Sequence, residues 1–193
     1  MMNRISQRIV SWLISNKTIL PSEEAVYRYA AYNVLYAAIP VLLVVLIGVF
    51  LNVVPGAILF AITFIALRKY TGGFHFQKIY ACLVFSTVTE FEFIYLAAEC
   101  EEVWIMAVLL ICGCCSLIVY SPIYSSKRKL SEVDIIRCKM MTKRVLTGVI
   151  LVWILLCITG FPWLAAYPTS AVVMTAMFQY PAIIENKRRN KEC

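Results

Sequence analysis

The chain has 193 residues, of which 62% are hydrophobic without counting glycine and 15% are charged. A soluble domain carries roughly 45–50% apolar residues with glycine included, and about a quarter charged residues, so this composition nearly excludes a soluble globular protein. The single histidine excludes a multi-histidine metal site, and the eight cysteines lie mostly inside apolar runs, unlike the disulfide framework of a small secreted domain. We therefore predict an integral membrane protein with one domain, residues 1–193, and no metal or cofactor.

The segment 1–20 is predicted to form an amphipathic helix that lies in the headgroup layer of a bilayer. At 100° per residue one helical face is apolar, and the opposite face carries Arg4 and Arg8. The apolar run is too short for a signal peptide, and no small-residue cleavage site follows it. A helix packed on the rest of the protein is the alternative. The apolar face consists of Met2, Ile5, Ile9, Trp12 and Leu13.

Six apolar stretches approach the length of about 20 residues that a helix needs to cross a bilayer core. They predict an all-α bundle of six transmembrane helices within residues 30–184. The pair Pro55-Gly56 predicts a tight turn that joins the first two spans as a hairpin. Pro40 and Pro168 predict kinks in the first and last spans, and Pro168 could divide the last one. The stretches are 30–53, 54–67, 79–98, 103–120, 145–161 and 163–184.

The basic residues predict the orientation of this bundle. All 18 lie before the first span, between the second and third, between the fourth and fifth, or after the sixth. By the positive-inside rule, both termini and both basic loops face the cytoplasm. Models with four or five spans would put one basic cluster outside. The net charge of +7 then reflects topology first and attraction to anionic lipid second. The basic loops lack interleaved aromatic residues, so we predict no nucleic-acid partner.

The connection between the second and third spans carries the residues that suggest chemistry. Gly72 and Gly73 interrupt a helix and permit positive φ, so the chain can turn at the inner face of the membrane. His75 follows this turn, and Cys82 lies seven residues later at the start of the third span. In a straight helix the two side chains would be about 10.5 Å apart along the axis, too far for a hydrogen bond. We therefore expect His75 to lie beside the glycine turn and to fold back toward Cys82.

A cysteine paired with a histidine has the chemistry of a nucleophile and its base. A free thiol has a pKa of about 8.5, and the thiolate is the nucleophile, so an imidazole within about 3 Å can take the proton and later return it to a leaving amine. The plainer interpretation is a solvated loop histidine and a small packing cysteine. Cys112, Cys114 and Cys115 are also assigned to packing, because Cys114 points away from the helical face that the other two share.

The run RKYTGGFH over 68–75, followed by Cys82, resembles the accessory gene regulator protein B (AgrB) family of bacterial membrane cysteine endopeptidases. The six-span layout and the amphipathic N-terminus resemble this family too. The segment 120–123, YSPI, and the following KRKLS over 127–131 are similar to the basic loop after its fourth span. The resemblance implies an enzyme of the bacterial cytoplasmic membrane that matures a quorum-sensing pheromone precursor and forms a homodimer.

Residue by residue, the resemblance implies that Cys82 is the nucleophile and His75 the general base, and that Arg68 and Gly73 match positions needed for activity. The partner would be an AgrD-like precursor peptide with an amphipathic leader, a short core and an acidic tail. Cys82 would cut between core and tail through a thioester, and the core would then close into a thiolactone or lactone.

The basic loop has two interpretations, and two other classes of function are compatible with the sequence. Lys127, Arg128 and Lys129 could attract the acidic tail, or could serve only as positive-inside anchors. A non-enzymatic membrane transporter or exporter of a small peptide is the alternative function, and it would tolerate loss of Cys82. A structural or regulatory membrane protein would not show selective alkylation of Cys82.

Overall fold

The structure is a computed structural model that describes residues 2–73, 79–100, 102–123 and 131–184. Apart from one β-bridge between Gly72 and Ile123, the regular structure of these residues is helical. After a short 3-10 helix at Pro21–Glu23, the chain continues directly into the second helix. The helices are α1 (Met2–Ser15), α2 (Glu24–Phe50), α3 (Val54–Thr71), α4 (Ile79–Glu99), α5 (Val103–Tyr120), α6 (Glu132–Ile158) and α7 (Pro162–Met177), and a further helical segment covers 179–184.

Five helical segments are long and apolar enough to cross a membrane, so the prediction of an all-helical, multi-pass membrane protein is confirmed. The sixth predicted span corresponds to α7 and the segment 179–184, which are separated by a turn at Phe178. Because α7 alone has only 16 residues, fewer than the about 20 that a span needs, the count of six spans stays a prediction. The five segments are Pro21–Phe50, Val54–Thr71, Tyr80–Glu99, Val103–Tyr120 and Glu132–Ile158.

Two predictions that rest on proline residues are wrong in detail. Pro55 and Gly56 lie in the first turn of α3, where proline lacks only an N–H that the helix does not use. The reversal precedes them, at Asn52 with φ of 57°. Helix α7 continues through Pro168, so this proline does not divide the last span.

Helix α6 begins well before the apolar stretch 145–161. Ser131 caps its N-terminus by accepting a hydrogen bond from the Asp134 N–H at 3.2 Å. The acidic side chains of Glu132 and Asp134 in the first turn stabilise the helix by interacting with the positive end of its dipole. With 27 residues, α6 is about 40 Å long, which exceeds a bilayer core of about 30 Å. The basic residues 137–144 therefore lie on a helix and not in a loop.

The chain forms two compact units, Met1–Leu43 and Val44–Cys193. The first contains α1, the 3-10 helix and the first part of α2. The side chains of Ile5, Ile9 and Trp12 on α1 are exposed, as a membrane-lying helix requires, although that location stays a prediction.

In the second unit, α7 packs against α3, α4, α5 and α6. It is surrounded by helices, and its interior is rich in small residues, which let neighbouring backbones approach closely. Tyr167 and Met174 of α7 belong to one buried cluster with Phe60 of α3, and Val172 belongs to a second cluster with Leu117 of α5. The large apolar side chains that stay exposed on α5, such as Ile111 and Val119, suit contact with lipid.

The contact between α3 and α7 generates a prediction about stability. A Cβ atom at Gly56 would overlap the ring of Tyr167, whereas one at Gly148 on α6 would meet no atom within 4 Å. We expect Gly56→Val to lower the free energy of unfolding by about 1–3 kcal/mol through overpacking. Gly148→Val makes the same exchange in an open position and should leave the melting temperature in detergent nearly unchanged. Equal melting temperatures for the two variants would contradict this packing.

Candidate active site

Four of the predicted site residues lie in the described part of the chain. Arg68 is in the last turn of α3, Gly72 and Gly73 follow that helix directly, and Cys82 is in the first turn of α4. His75 and the basic residues Lys127, Arg128 and Lys129 lie outside the described residues. The predicted approach of His75 to Cys82 therefore stays a prediction.

The two glycines end α3 and redirect the chain. Gly72 has φ of 68° and Gly73 has φ of 135°, and both values lie in the region that disfavours residues with a Cβ atom. Gly72 also forms the β-bridge with Ile123, so close that a Cβ atom at Gly72 would overlap the carbonyl oxygen of Ile123. The position requires glycine both for its backbone conformation and for this close approach.

Arg68 is folded over the turn that follows its own helix. Its Nη1 donates a hydrogen bond to the Gly72 carbonyl oxygen at 2.8 Å, which supplies a partner for a carbonyl beyond the helix end. The guanidinium carbon lies 5.5 Å from the centroid of the Phe178 ring, in cation–π geometry. A Cβ atom at Gly73 would overlap Arg68 Nη1, so the second glycine leaves the space that the guanidinium fills.

Cys82 lies within electrostatic range of this guanidinium. Its thiol is free and half-buried, and it interacts with the Arg68 charge. The first turn of a helix also presents the positive end of the helix dipole. The Arg68 guanidinium and the start of α4 therefore provide two sources of positive potential near the thiol.

A buried amide joins the turn to two other helix ends. The Thr71 carbonyl oxygen accepts a hydrogen bond from the Ile123 N–H at 3.0 Å and another from Gln179 Nε2 at 3.4 Å. Gln179 Nε2 also donates to Ser121 Oγ at 2.7 Å. Sequence reasoning missed Gln179 and its neighbour Phe178, although an amide side chain in an apolar helical segment is a signal for a buried polar contact.

Glu90 and the three cysteines of α5 are further ionisable or metal-ligating side chains of the bundle. Glu90 is buried within α4, and its Oε2 has no hydrogen-bond partner in the part of the chain that the structure describes; it lies two turns beyond Cys82 along the helix. Cys112 and Cys115 are exposed and Cys114 is buried, and no group of three metal-ligating side chains occurs among the residues described.

Comparison with known proteins shows the family of this chain. Residues 6–183 match the family described as Accessory gene regulator B, AgrB. The chain belongs to the AgrB family. Neither a curated protein nor a solved structure gave a match. Membership of the AgrB family indicates a role in processing a quorum-sensing peptide precursor, and it covers both Arg68 and Cys82.

A side chain at position 73 would overlap Arg68. This overlap allows a test that distinguishes a clash with the guanidinium from backbone strain. We expect Gly73→Ala to displace the guanidinium and to lower the rate of precursor processing by about tenfold or more, because a misplacement of about 1 Å can reduce a rate about 100-fold. Gly160 also has positive φ, at 84°, but a Cβ atom there would meet nothing within 4 Å. Gly160→Ala should therefore process precursor at the wild-type rate, and equal loss in both variants would contradict the clash.

Proposed function

We propose that this AgrB-family protein is a membrane cysteine endopeptidase that removes the C-terminal tail of a pheromone precursor and promotes cyclisation of the core. The observation that supports the proposal is the position of the Arg68 guanidinium, which bonds the Gly72 carbonyl and is close enough to the Cys82 thiol to interact with it electrostatically. A packing cysteine needs no cation nearby, and withdrawing a cation partly from water is unfavourable.

In the proposed reaction, Cys82 Sγ attacks the carbonyl carbon of the peptide bond between core and tail. The C–N bond breaks, the tail leaves as an amine, and the leader and core remain on Cys82 as a thioester. His75 takes the thiol proton and gives it to the departing amine. The negative charge that develops on the carbonyl oxygen needs a positive group nearby, and the Arg68 guanidinium has the charge and the donors for that role.

Release of the acyl group closes the ring. A thiol or hydroxyl within the core attacks the thioester carbonyl, a new thioester or ester bond forms, and Cys82 recovers its proton. Exchange of one thioester for another is nearly isoenergetic, so cyclisation to a thiolactone needs no nucleotide. Exclusion of water from the acyl-enzyme favours ring closure over hydrolysis.

The proposed location and partners follow from charge and from the family. We propose six spans with both termini in the cytoplasm, which puts the glycine turn at the membrane face where a newly made AgrD-like peptide arrives. Lys127, Arg128 and Lys129 would attract the acidic tail of that peptide, and a homodimer is what the family resemblance implies. The exposed apolar residues of α1 support binding to the same bilayer that holds an amphipathic leader.

Loss of the proposed nucleophile is the test. We expect Cys82→Ala to abolish precursor cleavage, with normal insertion into membranes, because no acyl-enzyme can form without the thiol. Cys138 is also half-buried and free, so Cys138→Ala is the matched control and should cleave at the wild-type rate. Cleavage is followed by mass spectrometry of the released tail. Full cleavage by Cys82→Ala would refute the peptidase, and continued delivery of intact peptide across the membrane would support an exporter.

A further inference from the structure

Gln179 is one of the buried polar residues that the proposed reaction does not use. It lies just after the end of α7 and is fully buried. Its Nε2 makes two hydrogen bonds, whereas its Oε1 has no hydrogen-bond partner in the described part of the chain. A buried polar atom without a partner destabilises a protein, and an apolar side chain of similar size would avoid this penalty. Its two N–H bonds are therefore the physical gain from an amide at this position.

These two bonds join the ends of three helices. Thr71 is the last residue of α3, Ser121 follows α5, and Gln179 follows α7. Helix ends leave backbone carbonyl groups without a partner in the helix, and Gln179 supplies a donor to the Thr71 carbonyl. The Ile123 N–H donates to the same oxygen. The carbonyl that precedes Gly72 is thus held from two sides by residues more than fifty positions away.

The residue before Gln179 contacts the other side of the same site. The Phe178 ring lies under the Arg68 guanidinium at 5.5 Å and 5.7 Å from the Phe85 ring. Phe85 is three residues after Cys82, which is about one helical turn. Residues 178 and 179 therefore touch the glycine turn, the guanidinium and the helix that carries the thiol.

We propose that Gln179 is a positioning residue of the active site. It fixes the Thr71 carbonyl and so sets where the turn at Gly72 and Gly73, with the Arg68 guanidinium bonded to it, lies relative to Cys82. This inference rests on the proposed peptidase function. Gln179 does not touch the reacting atoms; its effect is on how often the guanidinium and the sulfur are in productive geometry.

The test exchanges the amide for an apolar side chain of similar length. In Gln179→Met both donors are lost, and we expect kcat for precursor cleavage to fall by about tenfold or more, with KM within about twofold because the basic loop that would attract the tail is unaltered. Thr175 of α7 is equally buried, but its hydroxyl bonds only to the Ala171 carbonyl within its own helix. Thr175→Val is therefore the matched control, and its kcat should equal that of the wild type.

A second pair of variants separates positioning from general stability. Ser121→Ala removes one acceptor of the amide and should lower kcat by itself. In the double variant Ser121→Ala/Gln179→Met, the loss should equal that of Gln179→Met alone, because the same bond has already gone. The inference would be overturned if the fold-loss in kcat of the double variant equalled the product of the two single losses. A wild-type kcat in Gln179→Met would overturn it too. If Gln179→Met does not fold, a wild-type kcat in Ser121→Ala overturns it.

The two proposals fail in different ways. Cleavage by Cys82→Ala refutes the peptidase and removes the basis of the positioning role. Loss of cleavage in Cys82→Ala together with wild-type kinetics in both Gln179→Met and Ser121→Ala leaves the peptidase in place and rejects only the role of Gln179.

Discussion

The Arg68 guanidinium connects three parts of the site at once. It bonds the Gly72 carbonyl, lies over the Phe178 ring and acts on the Cys82 thiol. A half-buried cation needs such compensation, because it has lost part of its contact with water. The neighbouring structure supplies it: Gly73 leaves the space, the helix end leaves carbonyl groups that need donors, and an aromatic face replaces part of the lost hydration. A shift of Gly72, Gly73 or Phe178 would therefore also shift the charge near the Cys82 thiol.

Helix α7 is the element that links this site to the rest of the bundle. It packs against four helices through small side chains, and it ends where the glycine turn, the segment after α5 and the start of α4 come together. The same helix therefore provides the packing of the core and, through the two residues that follow it, the contacts to the turn and to Arg68. The position of the site residues therefore depends mostly on apolar packing of α7, and the polar contacts of Gln179 are added at its end.

The length of the apolar stretches predicted most of the helices from the sequence, because apolar length is a property of one continuous segment. The distribution of charge predicted only the orientation of the bundle. The end of α3 was predictable for the same reason, because two adjacent glycines, Gly72 and Gly73, indicate a local change of backbone conformation. The start of α6 was missed because charged residues interrupt the apolar ones before Val145, so that part of the helix is not a continuous apolar stretch, although Ser131 caps its N-terminus. The contacts of Gln179 with Thr71 and Ser121, and of Phe178 with Arg68, were beyond prediction because they join positions far apart in sequence whose meeting depends on how the helices pack. Likewise, Gly73 was expected to provide a turn, but the need to leave room for Arg68 became visible only in the structure.

The most direct measurement of this account is the second-order rate constant for alkylation of Cys82 by iodoacetamide, read at that residue by mass spectrometry. Because the proposed reaction places this cation near the attacking sulfur, Arg68→Leu is expected to slow alkylation of Cys82 by about tenfold or more. Lys69 is adjacent in sequence, but its ammonium lies over the Tyr70 ring, so Lys69→Leu should leave the rate unchanged. Equal rates in the wild type and in Arg68→Leu would contradict the claim that this guanidinium activates Cys82.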